Sequence, residues 1–283
     1  MSEAPAPSMN DLRPDPPEVV PILTFPFGQP IERVVQTDRR PKRVFVLGVY
    51  ASAVHARWLA EDGSTLIEAV AVASEPEVFW RGDGAEAIVS GMELPAGAGH
   101  LTPAGENLNG PSGIALDELF LSPLGLARSD AWLADLVPHS CKNDRQAAAL
   151  RRAYDPAIET LGLPPYDWPS VPTVLADADR RAEIAAELAV ASPDVLVTLG
   201  DQPLKWFASY FGAKTRLGSY GETRDRYGRL HEIRVGQRTM THLPLAHPRQ
   251  VARLGSHSAL WAGLHEHWVK RVAPELLVGT ATD

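Results

Sequence analysis

Three short apolar runs that stop abruptly at a glycine or a His-Pro pair constrain this chain more than any other feature. They are RVFVLG at residues 43–48, DVLVTLG at 194–200 and LPLAHP at 243–248. Runs of about six mostly apolar residues, without polar alternation, are buried on both faces, which is the habit of strands in a parallel sheet. Open α/β sheets collect their ligands at the carboxyl ends of such strands, so the loops after Gly48, Gly200 and Ala246 become the first places to look for chemistry.

The intervening sequence supplies helices in the right places. Residues 111–125 carry Ile114, Leu116, Leu119, Phe120 and Leu124 near helical spacing, with Pro111 suited to a first turn and Gly125 to a stop. A strand is expected over Trp132–Val137, a helix over 144–162 interrupted at Pro156, and an irregular proline-rich connector over 162–172. Further helices are expected over 176–192, from Gln202 to Phe211 and from His257 to Val269, with the last strand at Thr239–Ala246. VHARWLA, residues 54–60, reads as a short helix after the first loop, residues 65–80 as a β excursion and residues 82–110 as loop. RGDG at 81–84 reads as a turn, and residues 225–242 as a solvated hairpin. Strand and helix alternating in this way predict a parallel sheet covered on both faces.

A chain of 283 residues that is 45% hydrophobic can bury one large core, so a single domain over 21–283 is expected, with a β and loop insertion at about 60–108. Residues 1–20 are dense in proline and poor in large apolar groups, the composition of a flexible tail. There is neither an 18-residue apolar run nor a basic-then-apolar leader, which points to a soluble cytoplasmic protein. Cys141 is the only cysteine, which excludes an internal disulfide and any multi-cysteine metal or iron–sulfur site. His257, His265 and His267 are spaced eight and two apart, not at the helical spacing of four that paired metal ligands use, and no Gly-rich phosphate signature occurs; no cofactor is expected. The net charge of -8 argues against indiscriminate polyanion binding, yet residues 214–271 hold eleven Lys/Arg against four Asp/Glu, a local balance of +7 that leaves -15 for the remainder. Such asymmetry suits one basic face toward phosphates and an acidic back.

Taken together, FVLGVYAS, the block GPSGIALDELFLSPLGLARSDAWLADLVPHSCKN, DVLVTLGDQPLKWF and LPLAHP resemble, in their order, the motifs of the uracil-DNA glycosylase superfamily from Pro41 to Trp268. The middle block is most similar to the thermophile-type branch, without the cysteines of that branch's iron–sulfur cluster. The resemblance implies a three-layer α/β/α sandwich around a four-stranded parallel sheet. It also implies base excision repair: a monomeric hydrolase that extrudes a damaged or deaminated base from DNA and cuts its bond to deoxyribose. The alternatives are a catalytically weak or inactive nucleobase-binding module of the same fold, and a hydrolase of free nucleosides or another small molecule.

Residue by residue, His247 matches the family histidine that donates to the base oxygen as negative charge grows there. The base would be contacted by Gly48, Val49 and Ala51 of the first loop, by Leu108 in ENLNG where the family has a stacking aromatic, and by Asp135 where it commonly has an edge-reading Asn. An ionised Asp only accepts hydrogen bonds, so Asp135 would suit a base that carries an amino group, unless a dry pocket keeps it protonated. The first loop lacks the family's carboxylate, its corresponding positions being Val49 and Tyr50, which leaves Tyr50, Ser52 and His55 as substitute groups for positioning water. Without the resemblance, Ser52 reads as a cap for the helix VHARWLA and His55 as a solvent-facing residue on it. After His247, Arg249 and Arg253 would contact phosphates while Val251 and Leu254 wedge a distorted duplex.

Overall fold

A computed structural model describes residues 22–105, 107–253 and 258–277. The Pro-rich tail over 1–20, Leu254 and His257 therefore lie outside the described residues. Among the described residues eight strands form two sheets. They are β1 (Val44–Tyr50), β2 (Ala53–Leu59), β3 (Thr65–Ser74), β4 (His100–Pro103), β5 (Ala131–Val137), β6 (Val195–Leu199), β7 (His231–Val235) and β8 (Arg238–Leu245). The larger sheet has the order β5-β1-β6-β8-β7. Its first four strands are mutually parallel and β7 is antiparallel to β8 at the edge.

The central strands behave as their composition requires. All of Ala131–Val137 and all of Val195–Leu199 are buried, so both faces of the sheet are covered. Ten buried residues from Val44 to Leu47, Trp132 to Ala134 and Val195 to Val197 already dispose of most of the apolar surface that these runs carry; for large side chains such burial contributes about 1.5–3 kcal/mol each. The sheet has five strands where four were expected, because the hairpin predicted over 225–242 is not a separate solvated piece. Its second strand is β8 itself, and its first, β7, alternates buried and open positions as an edge strand does.

The second sheet, β3-β2-β4, is antiparallel and corrects the expectation of a helix at 54–60. Val54, Ala56 and Trp58 are buried while His55, Arg57 and Leu59 are partly open, a period of two that satisfies a half-buried strand and no helix face. The insertion accordingly begins at Ala53, and residues 82–110 are not all loop: they contain the helix α1 (Ala85–Ser90) and β4. Under this sheet lies a second core in which Trp58 and Tyr154 meet Phe27 edge-on, with ring centroids 5.5 and 5.0 Å away.

The helix expected over 111–125 runs as α2 (Pro111–Leu116), a wide turn and a final tight turn ending at Gly125. That expected over 144–162 is continuous through Pro156: α3 (Asp144–Ala149) passes through a wide turn at Leu150–Tyr154 into α4 (Asp155–Leu161), whose first turn takes the proline. A wide turn followed by a helix start is where a residue without an N–H is least costly. Then follow α5 (Ala178–Ala191), α6 (Asp201–Trp206), the single turn α7 (Pro248–Val251) and α8 (Ser258–Arg271). Among the described residues no helix is long and apolar enough to cross a membrane.

Candidate functional site

Tyr50 ends β1, Asp135 sits near the end of β5 and His247 follows β8, so three parallel strands deliver these side chains to the same rim. All three line one cavity of about 520 Å³, together with Val49, Ser52, His55 and Leu108. That volume is in the range of small-molecule sites.

The floor is built by a close approach. Gly48 pairs in register with Asp135, and a Cβ on Gly48 would stand 2.2 Å from the Asp135 carboxylate and 2.6 Å from the Phe79 ring. A glycine is therefore required for this carboxyl and this ring to occupy the floor together, although Gly48 itself lines nothing. Asp135 is 5% exposed, and burial pushes its carboxyl up to about 7 against the pull of Arg180 and the Val49 N–H. Arg180 donates to the backbone carbonyls of Asp135 and Leu136 and pairs with Glu183 and Glu187, which pins the strand end carrying the acid.

Hydrogen bonds assign the protons of the two cavity histidines. His247 Nδ1 accepts from the Arg249 N–H at 3.2 Å, closing the first turn of α7. A neutral ring whose Nδ1 accepts carries its proton on Nε2, and burial with Arg249 nearby lowers its pKa to about 4, so at neutral pH His247 is an uncharged donor. His55 is the reverse. Gln146 Oε1 accepts from the Asn143 N–H, so its Nε2 faces His55 Nε2 at 3.3 Å as the donor. The His55 proton then sits on Nδ1, which is buried; the Ala53 and Leu108 carbonyls lie near the ring, yet Nδ1 has no partner at hydrogen-bonding geometry. Burial holds His55 down to about 4, but its basic nitrogen is already used by Gln146.

Other expected residues fall differently. Ser52 caps no helix; its backbone N–H donates to a carboxylate described below. Ala51 is buried behind the rim, does not line the cavity, and donates its N–H to Val137 O. Leu108 is 38% exposed on the cavity wall, beside Asn109, whose amide bridges the N–H and C=O of His55. Arg249 lines the cavity, whereas Arg253 is exposed beyond it. Val251 cannot be a wedge: it is 8% exposed, because the single turn α7 packs its apolar side against α2 and α8. Among the described residues no group of three or more His, Cys, Asp or Glu could hold a metal, and His265 is buried in a structural hydrogen-bond chain. Burial raises the Cys141 thiol to about 11, which keeps it protonated and unreactive at neutral pH.

Sequence reasoning missed the segment after β3. Glu75, Phe79 and Trp80 all line the cavity. Glu75 is 4% exposed and its Oε1 accepts from the Ser52 N–H at 2.9 Å; burial and the neighbouring Asp135 raise it to about 8. Phe79 holds a backbone φ of +55°, a costly conformation for an aromatic residue. Arg128 keeps it there, donating to the Val78 and Phe79 carbonyls at 2.7 and 2.6 Å while pairing with Asp117. Gly113 lets α2 lie directly on the Phe79 and Trp80 carbonyls, where a Cβ would come within 2.1 and 2.4 Å. The only signal in the sequence is an acid and two aromatics just past a long apolar strand, which marks no site by itself. Arg145 and Arg152 of the α3–α4 helix complete the rim beside Arg249, and none of the three forms an ion pair within the described residues.

Fold and site together define a mixed α/β protein with a mostly parallel five-stranded sheet and a carboxyl-lined, arginine-rimmed cavity at the carboxyl ends of its strands. No protein-family model matches the chain, and no curated protein matches it significantly.

Proposed function

We propose that the chain is a DNA-glycosylase-like hydrolase that receives a damaged or deaminated base flipped from DNA and cuts its N-glycosidic bond. The observation that carries this reading is the convergence of Tyr50, Asp135 and His247, from three separate strand ends, on one cavity of about 520 Å³. The four mutually parallel strands, covered on both faces, are consistent with the α/β/α sandwich of the uracil-DNA glycosylase superfamily. His247 presents an uncharged N–H donor, which is what a departing base oxygen requires as it gains negative charge. Phe79 and Trp80 offer aromatic surface where Leu108 does not, and base–aromatic stacking in single-strand binders is worth about 1–3 kcal/mol per base. Arg145, Arg152 and Arg249 on the rim, without an ion pair among the described residues, favour a polyanion over a free nucleoside.

A second reading has its own observation. His55 already accepts from Gln146, and Val49 and Tyr50 are no bases at neutral pH, so the first loop by itself would make a cavity that binds a base without cutting. Abasic-site formation on labelled oligonucleotides carrying uracil, cytosine derivatives or hypoxanthine separates the two. Cleavage at low salt that disappears in His247→Ala is the expected result. Retained binding with no strand scission after alkali on any of these bases would leave only the binding module.

A further inference from the structure

We propose that Glu75 is the acid–base residue of this cavity, with Asp135 as the second carboxyl lining it. The proposal rests on the reading of the cavity as a site of N-glycosidic hydrolysis and deepens it, because that reading leaves the chemistry without a proton carrier.

The geometry points to Glu75 for three reasons. It is a buried carboxyl on the cavity wall, and among the described residues no Lys, Arg or His pairs with it; Arg128, the cation that acts on it electrostatically, is engaged by Asp117 and Glu77. An unpaired buried acid costs stability, and such groups concentrate where chemistry needs them. Glu75 is also held in place rather than tolerated: the peptide N–H of Ser52, in the first loop, donates to it at 2.9 Å, while the Trp80 N–H of the Arg128-braced segment lies close enough to lower it although it donates to the Glu77 carbonyl. Finally, a second carboxyl, Asp135, lines the same cavity, and its charge adds to burial in opposing the ionisation of Glu75.

The reaction then balances on one side chain. Protonated Glu75 donates to a ring nitrogen or oxygen of the base as the bond from C1′ to the base nitrogen breaks and its electron pair leaves with the base. The sugar is left with an oxocarbenium centre. A water oxygen bonds to C1′, its proton passes to the Glu75 carboxylate, and the acid is restored without any other reactant. Ionised Asp135 accepts from an amino group on the base edge, so the substrates favoured are bases with an exocyclic amine beside a protonatable ring atom.

The charged and titratable groups facing the pair are Arg180 behind Asp135, Arg128 behind Glu75, and, lining the same cavity, Tyr50, His55, Glu68, His247 and the rim residues Arg145, Arg152 and Arg249. Burial holds His247 and His55 down to about 4, so the activity profile belongs to the two carboxyls, which burial raises to about 7 for Asp135 and about 8 for Glu75. The test is single-turnover cleavage by the full chain on oligonucleotides bearing an amino-substituted base, for native protein, Glu75→Gln and Asp135→Asn, with thermal melts to check folding. Expected are a rate optimum between about pH 7 and 8 and a loss of about 100-fold or more in Glu75→Gln with oligonucleotide affinity kept. The alkaline limb should vanish in that variant, and the acidic limb in Asp135→Asn. Glu75→Gln cutting at the native rate overturns the assignment while leaving the glycosylase reading in place. If the native chain cuts nothing, that reading falls, and carbon-13 NMR of the labelled carboxyls decides the rest: a Glu75 carboxyl titrating in the ordinary range near 4 overturns the pair, and one still protonated at pH 7 upholds it.

Discussion

Two buried polar clusters in this protein use the same residue types and differ in whether their hydrogen bonds close. In the interior, Tyr227 and His265 are fully partnered along one chain of bonds: His265 Nε2 donates to Leu119 O at 2.8 Å, its Nδ1 accepts from the Tyr227 hydroxyl at 2.7 Å, and the Tyr227 oxygen accepts from the Ala246 N–H. His242 meets Thr198 at 2.9 Å nearby. At the cavity, among the described residues, Glu75 has no counter-ion, His55 Nδ1 has no partner at hydrogen-bonding geometry and His247 keeps a donor in reserve. Burial lowers all four histidines, His55, His242, His247 and His265, to about 4, so a displaced pKa does not distinguish a working group from a structural one. What distinguishes them is capacity left unused and a space in which to use it.

The sharpest break of that comparison is a pair of histidine truncations. His265→Ala should cost about 2–5 kcal/mol in denaturant unfolding, since it opens a cavity beside Phe120 and Trp268 and strands the Leu119 carbonyl and Tyr227 hydroxyl. Its rate per folded molecule should be unchanged. His247→Ala should do the opposite, lowering cleavage by about 100- to 1,000-fold with a small change in melting temperature. Equal loss of stability in the two variants would erase the distinction.

Next in size is the pH dependence of stability. Glu75 and Asp135 bind protons more tightly when folded than when unfolded, so between about pH 4 and 8 the native state carries the extra protons and stability falls as pH rises. The buried histidines work against this only from about pH 4 to 6.5, where the unfolded chain binds the extra proton and stability rises with pH. Glu75→Gln should therefore be more stable than native at pH 8, by an amount on the order of a few kcal/mol, and indistinguishable from it at pH 4. Thermal melts across that range check it, and a variant less stable than native at pH 8 would contradict the buried, unpaired state of Glu75.

The smallest effect concerns the rim. Single Ala substitutions of Arg145, Arg152 or Arg249 should weaken oligonucleotide binding about equally for all sequences and reduce the slope of log affinity against log salt by about 1 each. Arg253, beyond the cavity, serves as the comparison and should change the slope less.

Local pattern carried much of the frame. Mostly apolar runs at 44–47, 132–137 and 195–199, without polar alternation, are satisfied between two layers, so the parallel strands and the loops at their ends were readable from composition and spacing. The strand ends carrying Tyr50, Asp135 and His247 followed from the same rule. VHARWL was misjudged because six residues fit either period until a partner is present; pairing with β3 and β4 makes the choice. Glu75, Phe79 and Trp80 were illegible for a stronger reason. They lie more than twenty residues along the chain from the loop they complete, and only the antiparallel excursion of β2 and β3 folds them back beneath Ser52 and against Gly48. The proton positions on His55 and His247 depend likewise on Gln146 and on the Arg249 amide, hydrogen-bond partners that no spacing rule identifies. What the amino-acid order determined by itself was where apolar surface had to be hidden, a property of each segment alone. Which polar groups were left facing a shared cavity, and with which protons, was decided by the tertiary structure, because desolvation and hydrogen bonding depend on neighbours distant in the chain.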